Sequence, residues 1–267
     1  MSLFHLLLVA VIQGLTEFLP VSSSGHLILL PNLTGLEDQG LVIDVAVHVG
    51  TLLAVILYFH RDVSAAFLGL GRLMRGRMDT PGARLAFLLI VATVPVVLIG
   101  LVLNLTGLEE AMRSTTVIGW TMLIFGLVLY WADQKGPATR RAGEWTLRDA
   151  IVMGLWQAVA LIPGTSRSGI TITGARLLGF ERSDAAKISM LMSIPTIAAS
   201  GVLLGAEVAV TADADAARDG AIAAGFAFVS ALLALTLMMR LLRSVSFTPY
   251  VIYRVILGVV LLALAYA

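Results

Sequence analysis

The sequence predicts an all-α integral membrane protein: six transmembrane helices plus two re-entrant helix–loop–helix segments in an inverted-topology repeat. Three observations carry that prediction. Of 267 residues, 58% are hydrophobic and 13% charged, against about 45–50% and about 25% in soluble domains. Apolar stretches of spanning length recur along the chain. Two near-copies, QGLTEFLPVSSSGH at residues 13–26 and QAVALIPGTSRSGI at residues 157–170, interrupt the apolar sequence. Aligned without gaps, they share Gln13 with Gln157, Ser22 with Ser166, Ser24 with Ser168 and Gly25 with Gly169, at a constant offset of 144 residues. Proline, glycine and hydroxyl residues at membrane depth leave backbone groups unpaired in lipid, so such segments survive only where they line a protein cavity. Two of them point to one shared site.

Residues 1–40 come first, apolar but broken in the middle, which predicts a helix, a loop and a returning helix. A cleavable signal peptide is the rival reading of residues 6–12. No Lys or Arg precedes that run, and Gln13 and Glu17 follow where small residues belong, so the signal peptide is rejected. Full spans are expected over residues 41–59, 85–105 and 115–131. A second broken segment follows at 147–179, then spans over 188–206, 221–239 and 250–267. The chain has no cysteine, hence no disulfide and no thiol chemistry.

Loop charges orient these elements. Arg61, Arg72, Arg75, Arg77 and Arg84 outnumber Asp62 and Asp79, and Lys135, Arg140, Arg141 and Arg148 outnumber Asp133 and Glu144. Both loops are cytoplasmic by the positive-inside rule, with Arg240 and Arg243. Glu37 and Asp38, then Glu109, Glu110 and Arg113, then Glu207, Asp213, Asp215, Arg218 and Asp219 fall outside. The first broken segment therefore enters from outside and the second from inside, each followed by three spans. Residues 1–134 and 148–267 form the two repeats of a single membrane domain, 1–267, and the basic linker at 135–148 is the boundary.

The polar residues at the breaks carry the chemistry. Gln13 and Glu17 stand one helical turn apart on one face, and the Glu17 carboxylate suits a divalent cation or a proton. Ser22, Ser23, Ser24 and Gly25 ahead of a resumed apolar run resemble a helix N-terminus, which suits phosphate. Arg167, at the position of Ser23 in the other copy, adds a planar cation that holds phosphate oxygens bidentately. His26 is a general acid, base or nucleophile candidate. Gly164, Ser166, Ser168, Gly169 and Thr171 complete the candidate binding set. Plainer readings stand beside these: serines as caps, Thr171 bonded to its own helix, a structural Glu17–Arg167 ion pair. Arg254 is expected to snorkel to the cytoplasmic interface, and Asp44 and His48 to sit at the external end of the first span, His48 peripheral to the site.

These motifs resemble the undecaprenyl-diphosphate phosphatases of bacteria, the bacitracin-resistance proteins. The resemblance rests on Gln13, Glu17, Ser22, Ser23, Ser24, Gly25 and His26, on the Pro163 to Thr171 loop around Arg167, and on the closing SFTPYVIYR at residues 246–254. It covers essentially the whole chain. It implies hydrolysis of the C55 isoprenoid diphosphate to the monophosphate, which recycles the carrier for cell-wall precursors, in the bacterial plasma membrane. It implies a divalent cation, Mg2+ or Ca2+, near Glu17, and catalytic roles for Glu17, Ser23, His26 and Arg167. Whether Ser23, His26 or water attacks phosphorus is left open. The expected partners are the polyprenyl diphosphate and membrane lipid, not nucleic acid, with room for a homodimer, and external access to the site is favoured. The alternative is a secondary transporter or flippase of polyprenyl phosphate, sharing the repeat but releasing no phosphate.

Overall fold

In the computed structural model, residues 1–35, 39–108, 112, 114–211 and 214–266 are described. The chain is all-helical. Helices α1 (Leu3–Phe18) and α2 (Ser23–Thr34) form the first broken segment, and α3 (Gly40–Tyr58) follows. Then come α4 (His60–Leu73), α5 (Pro81–Thr106) and α6 (Thr115–Lys135). The second broken segment is α7 (Leu147–Val159) and α8 (Arg167–Leu177), leading into α9 (Arg182–Thr211), α10 (Ala214–Leu241) and α11 (Thr248–Tyr266). Six described helices are long and apolar enough to cross a membrane: Gly40–Tyr58, Pro81–Thr106, Thr115–Lys135, Arg182–Val202, Ala214–Leu241 and Thr248–Tyr266. Each overlaps one expected span. Leu101, Leu105, Leu127, Leu237 and Ile256 stand at least half exposed on them, a surface suited to lipid rather than water.

Local chemistry explains the helix ends. Ser2, Thr80 and Ser114 accept from His5, Ala83 and Val117 backbone N–H groups to cap α1, α5 and α6. Thr146 caps α7, with Asp149 completing a capping box. Helix starts keep the spacing of the sequence copies: α1 begins at Leu3 and α7 at Leu147, α2 at Ser23 and α8 at Arg167. Packing follows the same correspondence. Helix α1 lies on α10 and α7 on α5, α3 on α10 and α9 on α5, and α3 meets α9 as α6 meets α11. Close approach depends on small residues. A Cβ on Gly14 would strike the Ala227 carbonyl at 2.7 Å, and one on Gly154 the Ala92 carbonyl, also at 2.7 Å.

Two elements differ from the sequence expectation. Residues 60–73, read as cytoplasmic loop, are helix α4, with Asp62 in its first turn and Arg72 in its last, both favourable to the helix dipole. Its Gly69 lies against the backbone of Gly82 and Ala83, while Phe67 and Leu68 remain exposed. The Arg72 guanidinium grips Asp79 at 2.8 and 2.6 Å, and that bonding holds the exposed Asp79 carboxyl below its ordinary pKa. Helix α10 begins at Ala214, so Asp215, Arg218 and Asp219 stand on a helix rather than in a loop. Of the charges assigned outside, Glu37, Asp38, Glu109, Glu110, Arg113 and Asp213 lie outside the described residues. The basic linker is docked, not loose: Arg140 bonds Asp149 at 2.5 Å, stacks 4.3 Å over Phe180 and donates to Leu178 O at 3.0 Å.

Candidate active site

The two breaks meet. A cavity of about 160 Å³ is lined by Glu17, Ser22, Ser23, Ser24, His48, Ala160, Ser166 and Arg167. Each copy contributes a serine in an unusual backbone state. Ser22 (φ 72°) and Ser166 (φ 70°) are the non-glycine residues with positive φ among those described, a conformation costing on the order of 1–3 kcal/mol. Each hydroxyl offsets part of that cost as a cap, accepting from Gly25 N at 3.4 Å and from Gly169 N at 3.1 Å. Each also meets the next serine but one, Ser24 at 3.3 Å and Ser168 at 3.2 Å. The N-termini of α2 and α8 thus open onto one cavity, where backbone dipoles favour an anion.

Charge is arranged asymmetrically. The Glu17 carboxylate accepts from Ser23 Oγ at 2.9 Å and Gln13 Nε2 at 2.9 Å, and forms an ion pair with Arg167 across the junction of the copies. His48 Nε2 lies 3.9 Å from the same carboxylate, and its Nδ1 donates to Asp44 O at 2.7 Å. Glu17 is buried and Arg167 nearly so. Deleting either charge would leave the other buried and unpaired, a loss of about 3–5 kcal/mol. Gln13 and Gln157 are fully buried behind the cavity, each with an unpartnered Oε1.

Not every expected residue reaches the cavity. His26 is held outside its lining: Nδ1 donates to the Ser22 carbonyl at 2.7 Å, so Nε2 is left to accept from the Tyr253 hydroxyl at 2.5 Å, with the rings stacked. Ser168 crosses to the other loop and donates to Leu19 O at 2.9 Å. Thr171 bonds Arg167 O at 2.8 Å and Ser189 at 2.6 Å, deep in the helix packing. Gly164 (φ 84°) sits where a Cβ would strike Thr121 and the Ile118 carbonyl. Gly25 and Gly169 supply capped N–H groups rather than walls.

Two residues correct the sequence reading. His48 lines the cavity instead of standing apart, because α3 packs against α1, which carries Glu17. Arg254 does not snorkel. It is fully buried, and its guanidinium faces the carbonyls of Met122, Thr121, Pro20 and Gly164 at 3.2–3.5 Å. Its charge near the start of the last span was visible in sequence; its depth depends on where α11 meets α6.

A carboxylate hydrogen-bonded to a serine and facing an arginine, at two converging helix N-termini, is equipped for phosphoryl chemistry. The model of the bacitracin resistance protein BacA family matches residues 6–260. The chain belongs to that family. It is 76% identical to the undecaprenyl-diphosphatase of Ruegeria pomeroyi and 75% identical to that of Dinoroseobacter shibae, each over the full length of both chains. The undecaprenyl-diphosphatase of Chromohalobacter salexigens is 49% identical over 98% of each chain. The divalent cation expected from the sequence resemblance can be set against the donor set. Among the described residues no group of three or more His, Cys, Asp or Glu side chains is placed to hold a metal ion. Glu17 and Ser23 offer hard oxygen donors in the cavity wall, which would suit Mg2+ or Ca2+.

Proposed function

We infer that this multi-pass membrane protein is an undecaprenyl-diphosphatase, releasing phosphate from the C55 isoprenoid diphosphate and so conferring bacitracin resistance. One observation carries the mechanism: Ser23 donates to Glu17 inside a cavity whose opposite wall is Arg167. The diphosphate enters with its tail in lipid, and the Arg167 fork exchanges Glu17 for the terminal phosphate oxygens. Ser23 Oγ then attacks the terminal phosphorus while Glu17 takes its proton. The anhydride P–O bond breaks, and undecaprenyl phosphate departs with the electron pair and takes the proton from Glu17, which returns to the carboxylate. Water, deprotonated by the same carboxylate in a second step, cleaves the phosphoserine and frees phosphate. Glu17 would hold a Mg2+ or Ca2+ ion, whose charge would neutralise the phosphoryl oxygens. His26, bound to the Ser22 carbonyl, holds the strained serine beside the nucleophile.

The pairing of α1 with α10 and of α7 with α5 supports an inverted-topology repeat of residues 1–134 and 148–267, with α1–α2 and α7–α8 re-entrant from opposite faces. Entry of α1–α2 from the face assigned outside supports access from the external face. Phosphate release from undecaprenyl diphosphate by the purified protein, with and without chelator, tests the function. Stoichiometric release that chelator suppresses is expected; movement of polyprenyl phosphate across vesicles without phosphate release would favour transport instead.

A further inference from the structure

Arg254 is a fully buried arginine that the mechanism above leaves unused. Its side chain is fully buried, and no Asp or Glu among the described residues lies within ion-pair distance of it. Its partners are carbonyl oxygens, and their positions are not arbitrary. Nη1 donates to Pro20 O at 3.5 Å and Nη2 to Gly164 O at 3.2 Å. Pro20 and Gly164 occupy the same place in the gapless alignment of the two copies, and each stands two residues before a positive-φ serine, Ser22 or Ser166. The same guanidinium donates to the Thr121 and Met122 carbonyls of α6 at 3.4 and 3.3 Å. Thr121 in turn donates from Oγ1 to Pro163 O at 2.6 Å, next to Gly164.

We propose that Arg254 is a positioning residue that clamps the equivalent carbonyls of the two loops, setting the distance between the Ser22–Ser23 and Ser166–Arg167 walls of the cavity. The proposal rests on the phosphatase reading for its activity assay but not for its structural one. Planarity is essential. Five donors in a fixed fork reach both loops and α6 together, whereas an ammonium is a compact point charge. The charge is balanced by carbonyl dipoles, so the interior of the site keeps an excess positive charge beyond the Glu17–Arg167 pair, which suits an anionic substrate.

The test uses Arg254→Lys, which keeps the charge and loses the fork, and Gly169→Ala, whose new Cβ would come within 2.8 Å of Arg254 Nη1 and push the fork aside. Two readouts are taken on detergent-purified protein. Nitroxide labels at Ser24→Cys and Ala160→Cys, one on each copy, report the loop-to-loop distance by pulsed electron resonance without reference to activity. Phosphate release from undecaprenyl diphosphate reports kcat and KM. The expected result is a single narrow distance in the otherwise wild-type background, broadened in both variants. With it should come a fall in kcat of roughly 10²-fold, as for a misplacement of about 1 Å, in protein that still elutes as folded. An unbroadened distance in both variants, or wild-type kcat in folded Arg254→Lys, overturns the clamp. Absence of phosphate release by the wild type would instead defeat the phosphatase reading and leave the distance measurement to decide the clamp.

Discussion

The first and second loops share a backbone and divide the chemistry. Both place a serine at positive φ, cap the next helix with its hydroxyl, and back it with a fully buried glutamine. Beyond that they part. Glu17 faces Leu161 in the alignment, Ser23 faces Arg167, and His26 faces Ile170. The first loop thus holds the carboxylate and the hydroxyl, the second holds the cation, and neither alone can bind and attack a phosphate. Two helix N-termini open onto one cavity, and the copies differ at these three matched positions. The glutamines show the same division, Gln13 donating to Glu17 at 2.9 Å and Gln157 to the Ala92 carbonyl at 3.4 Å.

The comparison breaks most sharply at Arg167. Arg167→Ala is expected to lower kcat/KM by on the order of 10³-fold or more, as for an arginine serving a phosphoryl transition state. Arg167→Lys should be nearly as poor, since the charge remains and the fork is lost. Phosphate-release kinetics on folded protein check both; near-normal turnover by Arg167→Ala would remove the second loop from the chemistry. Next comes the first loop's pair. Glu17→Gln should cost about 10²–10⁴-fold in kcat, the range for loss of a general base. If Ser23 is the nucleophile, acid-quenched wild-type turnover should yield an acid-stable adduct at Ser23, absent in Ser23→Ala. An acid-labile adduct at His26, or none, would redirect the mechanism to His26 or to water.

A gentler probe addresses what the loops share. Ser22→Gly and Ser166→Gly each relieve about 1 kcal/mol or more of strain and lose a cap that glycine replaces at a cost of a few tenths of a kcal/mol. Both variants should melt at or slightly above the wild-type temperature. A large fall in either would mean that the hydroxyl, not the backbone geometry, holds the loop.

Much of this site was legible in the sequence because lipid makes polar residues conspicuous. Glu17, Arg167 and the serines interrupt apolar runs and could be read as a constellation from spacing alone. His48 could not, since its place in the wall depends on how α3 packs against α1, and its own neighbourhood showed only Asp44 one turn away. Arg254 and Tyr253 were hidden for the same reason: a charge near a span's end looks interfacial until the partner helix fixes its depth. Helix α4 was masked by the arginines around it, which argue for a cytoplasmic side but say nothing of helicity. Where pattern and packing coincide, as at the six spans, sequence reading and structure agree.

The smallest expected effect is on topology: Arg75→Cys, in a chain without native cysteine, should resist an impermeant thiol reagent in intact cells, and labelling from outside would reverse the orientation.

Convergence of the two loops on one cavity is tested most directly by crosslinking Ser22→Cys to Ser166→Cys within one chain, using a short bifunctional thiol reagent. An intramolecular crosslink that abolishes phosphate release is expected, with inorganic pyrophosphate protecting both cysteines from reaction. Two cysteines that react independently, fail to join and ignore pyrophosphate would contradict it.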